Sequence, residues 1–117
     1  LARAAQREGV AINTLLLAPG LSRWRPGDDV TLPSAFLQRL AHQTGGLVAL
    51  RPAVEERFGG LEGWLDLAIG DLSDYIEHQY LLLFESYDPP PHGEWRELGV
   101  RVDAVYERVR ARSGYVR

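Results

Sequence analysis

Residues 10–18, "VAINTLLLA", constrain this chain more than any other stretch. The run is β-rich and apolar at most positions, without the strict alternation of a half-wet strand. That pattern belongs to a strand covered on both faces. The preceding "LARAAQREG" reads as the end of a helix, with Gly9 in the stop position. A helix, a glycine and a buried strand form one beat of an α/β fold. Neither "AINTLLLA" nor the later "YLLLF" approaches the roughly 18 apolar residues of a membrane helix, so no span is expected, and no signal-peptide pattern is visible.

The 117 residues suit one domain with a real core. A net charge of -3 argues against nucleic acid as a partner. All 13 basic residues are Arg, which together with abundant Ala, Gly and Pro reads as a GC-rich genome. Without cysteine the chain has no disulfide, no thiolate nucleophile and no Cys-based metal site. It begins at Leu1 and has no Met, so a piece of a longer protein is expected.

After the strand, residues 19–33 form a long loop broken by Pro19-Gly20 and Pro26-Gly27. "PSAFLQRLAHQTGG" then reads as a helix. Ser34 is its candidate cap, Phe36, Leu37, Leu40 and Ala41 its apolar stripe, and Gly45-Gly46 its stop. "LVALR" is a short strand, and "PAVEERFGG" a helical turn or an irregular connection. Leu61, Trp64, Leu65, Ala68, Ile69, Leu72 and Ile76 follow helical spacing in a long helix from Leu61 to Gln79. Three strands are expected beyond it: Tyr80–Ser86, Trp95–Val102 and Tyr106–Val116. The first two are expected to pair as antiparallel neighbours across the Pro-rich turn. Arg108, Arg110 and Arg112 fall on one face of the third, a solvated basic face.

Sites of chemistry are sparse. His42, His78 and His92 have no zinc-like spacing. Asp71, Asp74, Glu77 and His78 read as a charged helix face rather than an acid–base set. Ser73 and Ser113 lack a nucleophile-elbow context. Gly45-Gly46 and Gly59-Gly60 lack the setting of a phosphate loop. No catalytic residue and no metal ligand are assigned. The binding candidate is the loop "SRWRPGDD", with Arg23, Trp24, Arg25, Asp28 and Asp29. It follows a buried strand, where open α/β sheets take ligands, and a Trp between two Arg residues suits a protein or glycan contact. The other reading has Trp24 packing down to pin the loop.

Thr44-Gly45-Gly46 before a short strand, the run Gln79–Tyr87, Gly93–Arg96 and the ending Val109–Tyr115 occur in an order and spacing that resemble the C-terminal part of bacterial von Willebrand factor A-related domains, of the extracytoplasmic, acidobacterial type. Members typically carry a "TGG", a "QYVLGY"-like strand, a "GKWR"-like start and a "VRARKGY"-like end. The resemblance implies part of a doubly wound, mostly parallel, Rossmann-like three-layer sheet. Residues 1–79 would be the later half of the A-like unit, and 80–117 a family-specific antiparallel β extension. It also implies a non-enzymatic protein-interaction module outside the cytoplasm, whose partners are another protein and the upstream half of the same domain. The Asp-x-Ser-x-Ser metal loop of such domains would lie upstream. "DLSDY", Asp71–Tyr75, reads instead as part of a helix. No cofactor is expected in this chain, and a divalent cation only if the upstream half is present. Val10–Ala18 would be an interior strand whose missing neighbour leaves an edge open to edge-to-edge dimerisation. The alternative is a small hydrolase, or an accessory domain of a larger secreted enzyme, with its site near residues 23–29.

Overall fold

The computed structural model describes residues 1–53, 56–88, 91–103 and 109–116. They form a mixed α/β structure with three α-helices, a two-stranded parallel sheet and a two-stranded antiparallel sheet. The order is α1 (Ala2–Arg7), β1 (Thr14–Leu16), α2 (Pro33–Thr44), β2 (Val48–Leu50), a 3₁₀ turn (Glu56–Phe58), α3 (Gly60–Glu77), β3 (Trp95–Glu97) and β4 (Gly114–Val116). None of the described helices is long and apolar enough to cross a membrane.

Two helices stop in the same way. Gly9 and Gly45 take left-handed backbone angles, with φ of 68° and 77°. In each case the two amides at the break return to the last turn. Val10 N–H reaches the Ala5 carbonyl at 2.8 Å, and Gly46 N–H reaches that of Ala41 at 2.8 Å. Gly9 and Gly45 N–H bond Gln6 and His42. Both are the paired C-terminal bonding that glycine allows at no steric cost. The start of α2 differs from expectation. Pro33 opens the helix and Leu32 holds the cap position, without a side-chain bond from Ser34. Proline's fixed φ and missing N–H suit that first position.

β1 pairs with β2 in parallel, Thr14 opposite Val48 and Leu16 opposite Leu50, and α2 packs on both. The strand is shorter than the expected Val10–Ala18. Side chains take over ahead of Thr14: the Ile12 amide donates to Thr44 Oγ1 at 3.0 Å, and Asn13 Oδ1 accepts from the Leu47 amide at 2.7 Å. Gly46 lies so close beneath that a Cβ there would strike the Ile12 carbonyl. Val10 and Leu17 are about half exposed, and even in the short centre only the face carrying Thr14 and Leu16 is buried while Leu15 on the other is partly covered, so the expected covering of both faces is corrected.

The buried apolar residues are Leu16, Leu40, Ala41, Leu47, Trp64 and Ala68. The expected stripe of α2 is therefore corrected, because Phe36 and Leu37 face solvent. Gln38 is turned inward instead to serve the preceding loop. In α3 the expected apolar face divides: Trp64 and Ala68 are buried, while Leu61, Ile69 and Ile76 are exposed. "DLSDY" lies within this helix.

The C-terminal part corrects the expected strand order. Tyr80–Ser86 forms no strand and does not pair with Trp95–Val102. β3 pairs with β4 instead, antiparallel, with Trp95 opposite Val116 and Glu97 opposite Gly114. Gly114 explains the choice. A Cβ there would collide with the Trp95 ring and the Arg96 carbonyl, so only glycine lets the strands close. The ladder spans three residues, and a Leu98 N–H bond to the Ser113 carbonyl continues it. Of the expected strand 106–116, residues 106–108 lie outside the described residues, as do Val54 and Glu55 in the "PAVEERFGG" connection and Pro89 and Pro90 in the Pro-rich turn.

A buried polar knot joins the two ends of the chain. Gln6, only 3% exposed, donates from its side-chain amide to the Gln43 carbonyl. The same carbonyl accepts the Ser113 amide at 3.1 Å, and Arg112 donates to the Gln6 carbonyl at 3.2 Å. Packing of α1 on β4 follows. Arg112 is thus a structural donor and Arg110 stacks 5.7 Å from the Tyr75 ring centre, so neither is merely solvated. Arg108 lies outside the described residues.

Candidate functional site

The loop after β1 leaves the C-terminal end of the parallel pair. Gly20 N–H bonds the Arg51 carbonyl at 3.2 Å, and Arg51 donates back to the Leu17 carbonyl at 2.9 Å. This ties the loop mouth to the end of β2. Buried Gln38 then grips the loop by both ends of its amide. Its oxygen accepts the Trp24 N–H at 2.8 Å, and its nitrogen donates to the Ser22 carbonyl at 3.0 Å. The Trp24 ring sits edge-on to His42 of α2, with centroids 5.7 Å apart.

The tip is a closed turn. Arg25 N–H donates to the Asp28 carboxylate at 2.8 Å, and Asp28 N–H to the Arg25 carbonyl at 3.0 Å. Asp29 accepts the Thr31 amide at 3.0 Å, a side-chain turn typical of Asp. The loop therefore brings all five candidate residues together within one turn. Trp24, Asp28 and Asp29 shape it, whereas the Arg23 and Arg25 side chains point to solvent. The half-buried Trp24 has the geometry of a pin and offers only part of its face for contact.

The acidic end of α3 is likewise locally engaged. Ser73 lies 3.4 Å from Glu77, and the His78 ring bonds the Asp74 carbonyl at 2.7 Å. Asp71, Asp74, Glu77 and His78 all remain exposed. No group of three or more His, Asp or Glu among the described residues could hold a metal ion. An open cleft of about 380 Å³ lies over the polar knot, lined by Arg3, Gln6, Arg39, Gln43, Trp95 and Ser113 among others.

A larger feature follows α3. Tyr80, Leu81, Leu82, Leu83 and Phe84 run over the surface in neither helix nor strand, with Tyr80 and Leu83 each 88% exposed and Leu81 85%. Exposed apolar residues scattered singly are ordinary, but five in succession form a continuous apolar patch. Phe84 touches the protein, edge-on to Tyr115 of β4 at 5.8 Å. The strand expected here, paired within the chain, is not formed, because composition signals extension and burial but not the identity of the partner. The unpaired state carried no local signal.

Comparison with known protein families, with curated proteins and with solved structures finds no match.

Proposed function

We propose that this chain is a non-enzymatic protein-interaction module, the later half of an A-like domain that works outside the cytoplasm. The observation that carries the reading is the uninterrupted exposed run Tyr80–Phe84. Such a surface is costly to leave in water, at roughly 1.5–3 kcal/mol for each large apolar side chain, and covering it by a partner is the natural relief. The doubly wound sheet, the upstream half as a partner and the extracytoplasmic setting rest on the resemblance described above. Any divalent cation would belong to that upstream half. Arg23 and Arg25 on the loop tip offer a second, polar contact.

The rival reading is a small hydrolase or accessory enzyme domain using the loop at 23–29. It draws on the loop's place beyond the C-terminal ends of two parallel strands. One experiment separates the two. At low protein concentration, an apolar fluorescent dye should bind the chain and lose most of its signal on the double substitution Leu81→Asp, Leu83→Asp, with the far-ultraviolet circular dichroism unchanged. No dye binding would remove the interaction reading. Turnover of generic ester or peptide substrates that disappears in Asp28→Asn would favour the hydrolase.

A further inference from the structure

The chain beyond α3 has a backbone as unpartnered as its side chains. Among the described residues, Tyr80–Phe84 makes no hydrogen bond to any other segment. An extended backbone with free N–H and C=O groups is a template for strand addition. Its side chains do not alternate, so a strand formed here would have both faces apolar. The chain also reaches this state prepared. α3 ends where His78 caps the Asp74 carbonyl, and Phe84 is held against Tyr115. Both ends of the run are anchored, which lowers the ordering cost of pairing.

We propose that the chain forms a two-fold dimer in which Tyr80–Phe84 pairs antiparallel with the same segment of a second copy, centred on Leu82. The inference rests on the interaction reading above and names the partner for that surface. An antiparallel pair of identical segments is self-complementary, as a two-fold interface requires. The flanking residues choose the register. Centred on Leu82, Leu81 faces Leu83 of the other copy, Tyr80 faces Phe84, and Gln79 faces Glu85. Aromatic meets aromatic, and a carboxylate meets an amide donor. Centred on Leu81, Gln79 would face Leu83, a polar side chain opposite an apolar one. Centred on Leu83, Leu81 would face Glu85 and lose its apolar partner. Five residues paired edge to edge leave both faces of the ribbon open and bury well under the roughly 800 Å² per copy of a standard interface, so the expected dimer is weak and concentration-dependent.

The absence of cysteine makes the test clean. Sedimentation of the 117-residue chain from about 1 to 100 μM should show a monomer–dimer equilibrium. Leu82→Glu would set two carboxylates face to face at the axis and should weaken the dimer at least about 100-fold. Under mild oxidation, Leu82→Cys should give a disulfide-linked dimer, because residues across an antiparallel pair lie within disulfide reach. Ser73→Cys, exposed on α3, should not. A wild-type monomer throughout the range overturns the second copy as partner, while dye binding still judges the interaction reading separately. A dimer that survives Leu82→Glu, or cross-links through Leu15→Cys on β1 rather than Leu82→Cys, overturns it as well.

Discussion

The β1–α2–β2 unit and the chain beyond α3 satisfy their backbones in opposite ways. In the first, strand groups outside the short ladder are taken up by nearby side chains: Thr44 and Asn13 bond the Ile12 and Leu47 amides, and Gln38 bonds the loop backbone at Ser22 and Trp24. In the second, residues 80–86 form neither helix nor strand, and among the described residues the sheet there is a three-residue pair held by Gly114. The difference teaches that apolar composition alone does not close a fold. "TLL" and "LLL" are both leucine-rich, yet only the first has polar side chains placed nearby to terminate and flank its ladder. The second has kept the hydrophobicity of a buried strand without the neighbours that bury it.

That contrast breaks most easily at Gly46. A Cβ in Gly46→Ala would meet the Ile12 carbonyl, which is backbone and cannot rotate away. The substitution should cost about 3 kcal/mol in urea unfolding through overpacking. An effect below about 1 kcal/mol would mean that the first unit is as loosely joined as the second. Next in size is Gln38→Leu, which strips the Trp24 amide and the Ser22 carbonyl of their partner. It should cost about 2 kcal/mol and speed tryptic cutting after Arg23, since the loop loses its grip on α2. Unchanged cutting would show that the Trp24–His42 contact holds the loop alone. A smaller effect of opposite sign is expected at Thr14, whose buried hydroxyl has no hydrogen-bond partner among the described residues. Thr14→Val replaces it by a methyl group and should gain up to about 1 kcal/mol. Destabilisation would reveal a partner for the hydroxyl in solution.

Much of the first unit was legible in the sequence because its signals are local. Gly9 and Gly45-Gly46 mark helix stops that the structure places where expected. The long helix expected over Leu61–Gln79 runs from Gly60 to Glu77. The loop at 22–29 was legible as a unit, and so was the option that Trp24 pins it. What escaped was partnership. Gln6 and Gln38 are polar residues with no sequence mark of burial, yet both are 3% exposed and each joins distant segments. Val10–Ala18 was read too long because side-chain bonds from Asn13 and Thr44 stop the ladder early. Tyr80–Ser86 was paired with the wrong segment because periodicity reports which faces are apolar, not which strand lies alongside. Trp95–Glu97 found Gly114–Val116 through the close approach that only a glycine permits.

The gentlest probe of the contrast is Gly99. It follows the Leu98–Ser113 hydrogen bond that continues the β3–β4 ladder, is exposed, and has open space where a Cβ would go. Its φ lies outside the left-handed range, so alanine fits its backbone without strain. Gly99→Ala then acts through the unfolded chain, which loses conformational freedom. The expected gain is about 0.4–1 kcal/mol, or about 2–6 °C in Tm. That gain requires the native state to hold residue 99 in one backbone basin. If the segment after β3 wanders among basins when folded, alanine narrows both states equally and Tm should not move. The size of this small shift therefore measures how firmly a three-residue ladder fixes the chain that follows it. A rise comparable to that of a glycine replaced in a well-held loop would place the segment after β3 with the ordered first unit. A null result would align it with the unpartnered run at Tyr80–Phe84, and would move the boundary between the two regimes from the end of that run to the end of β3.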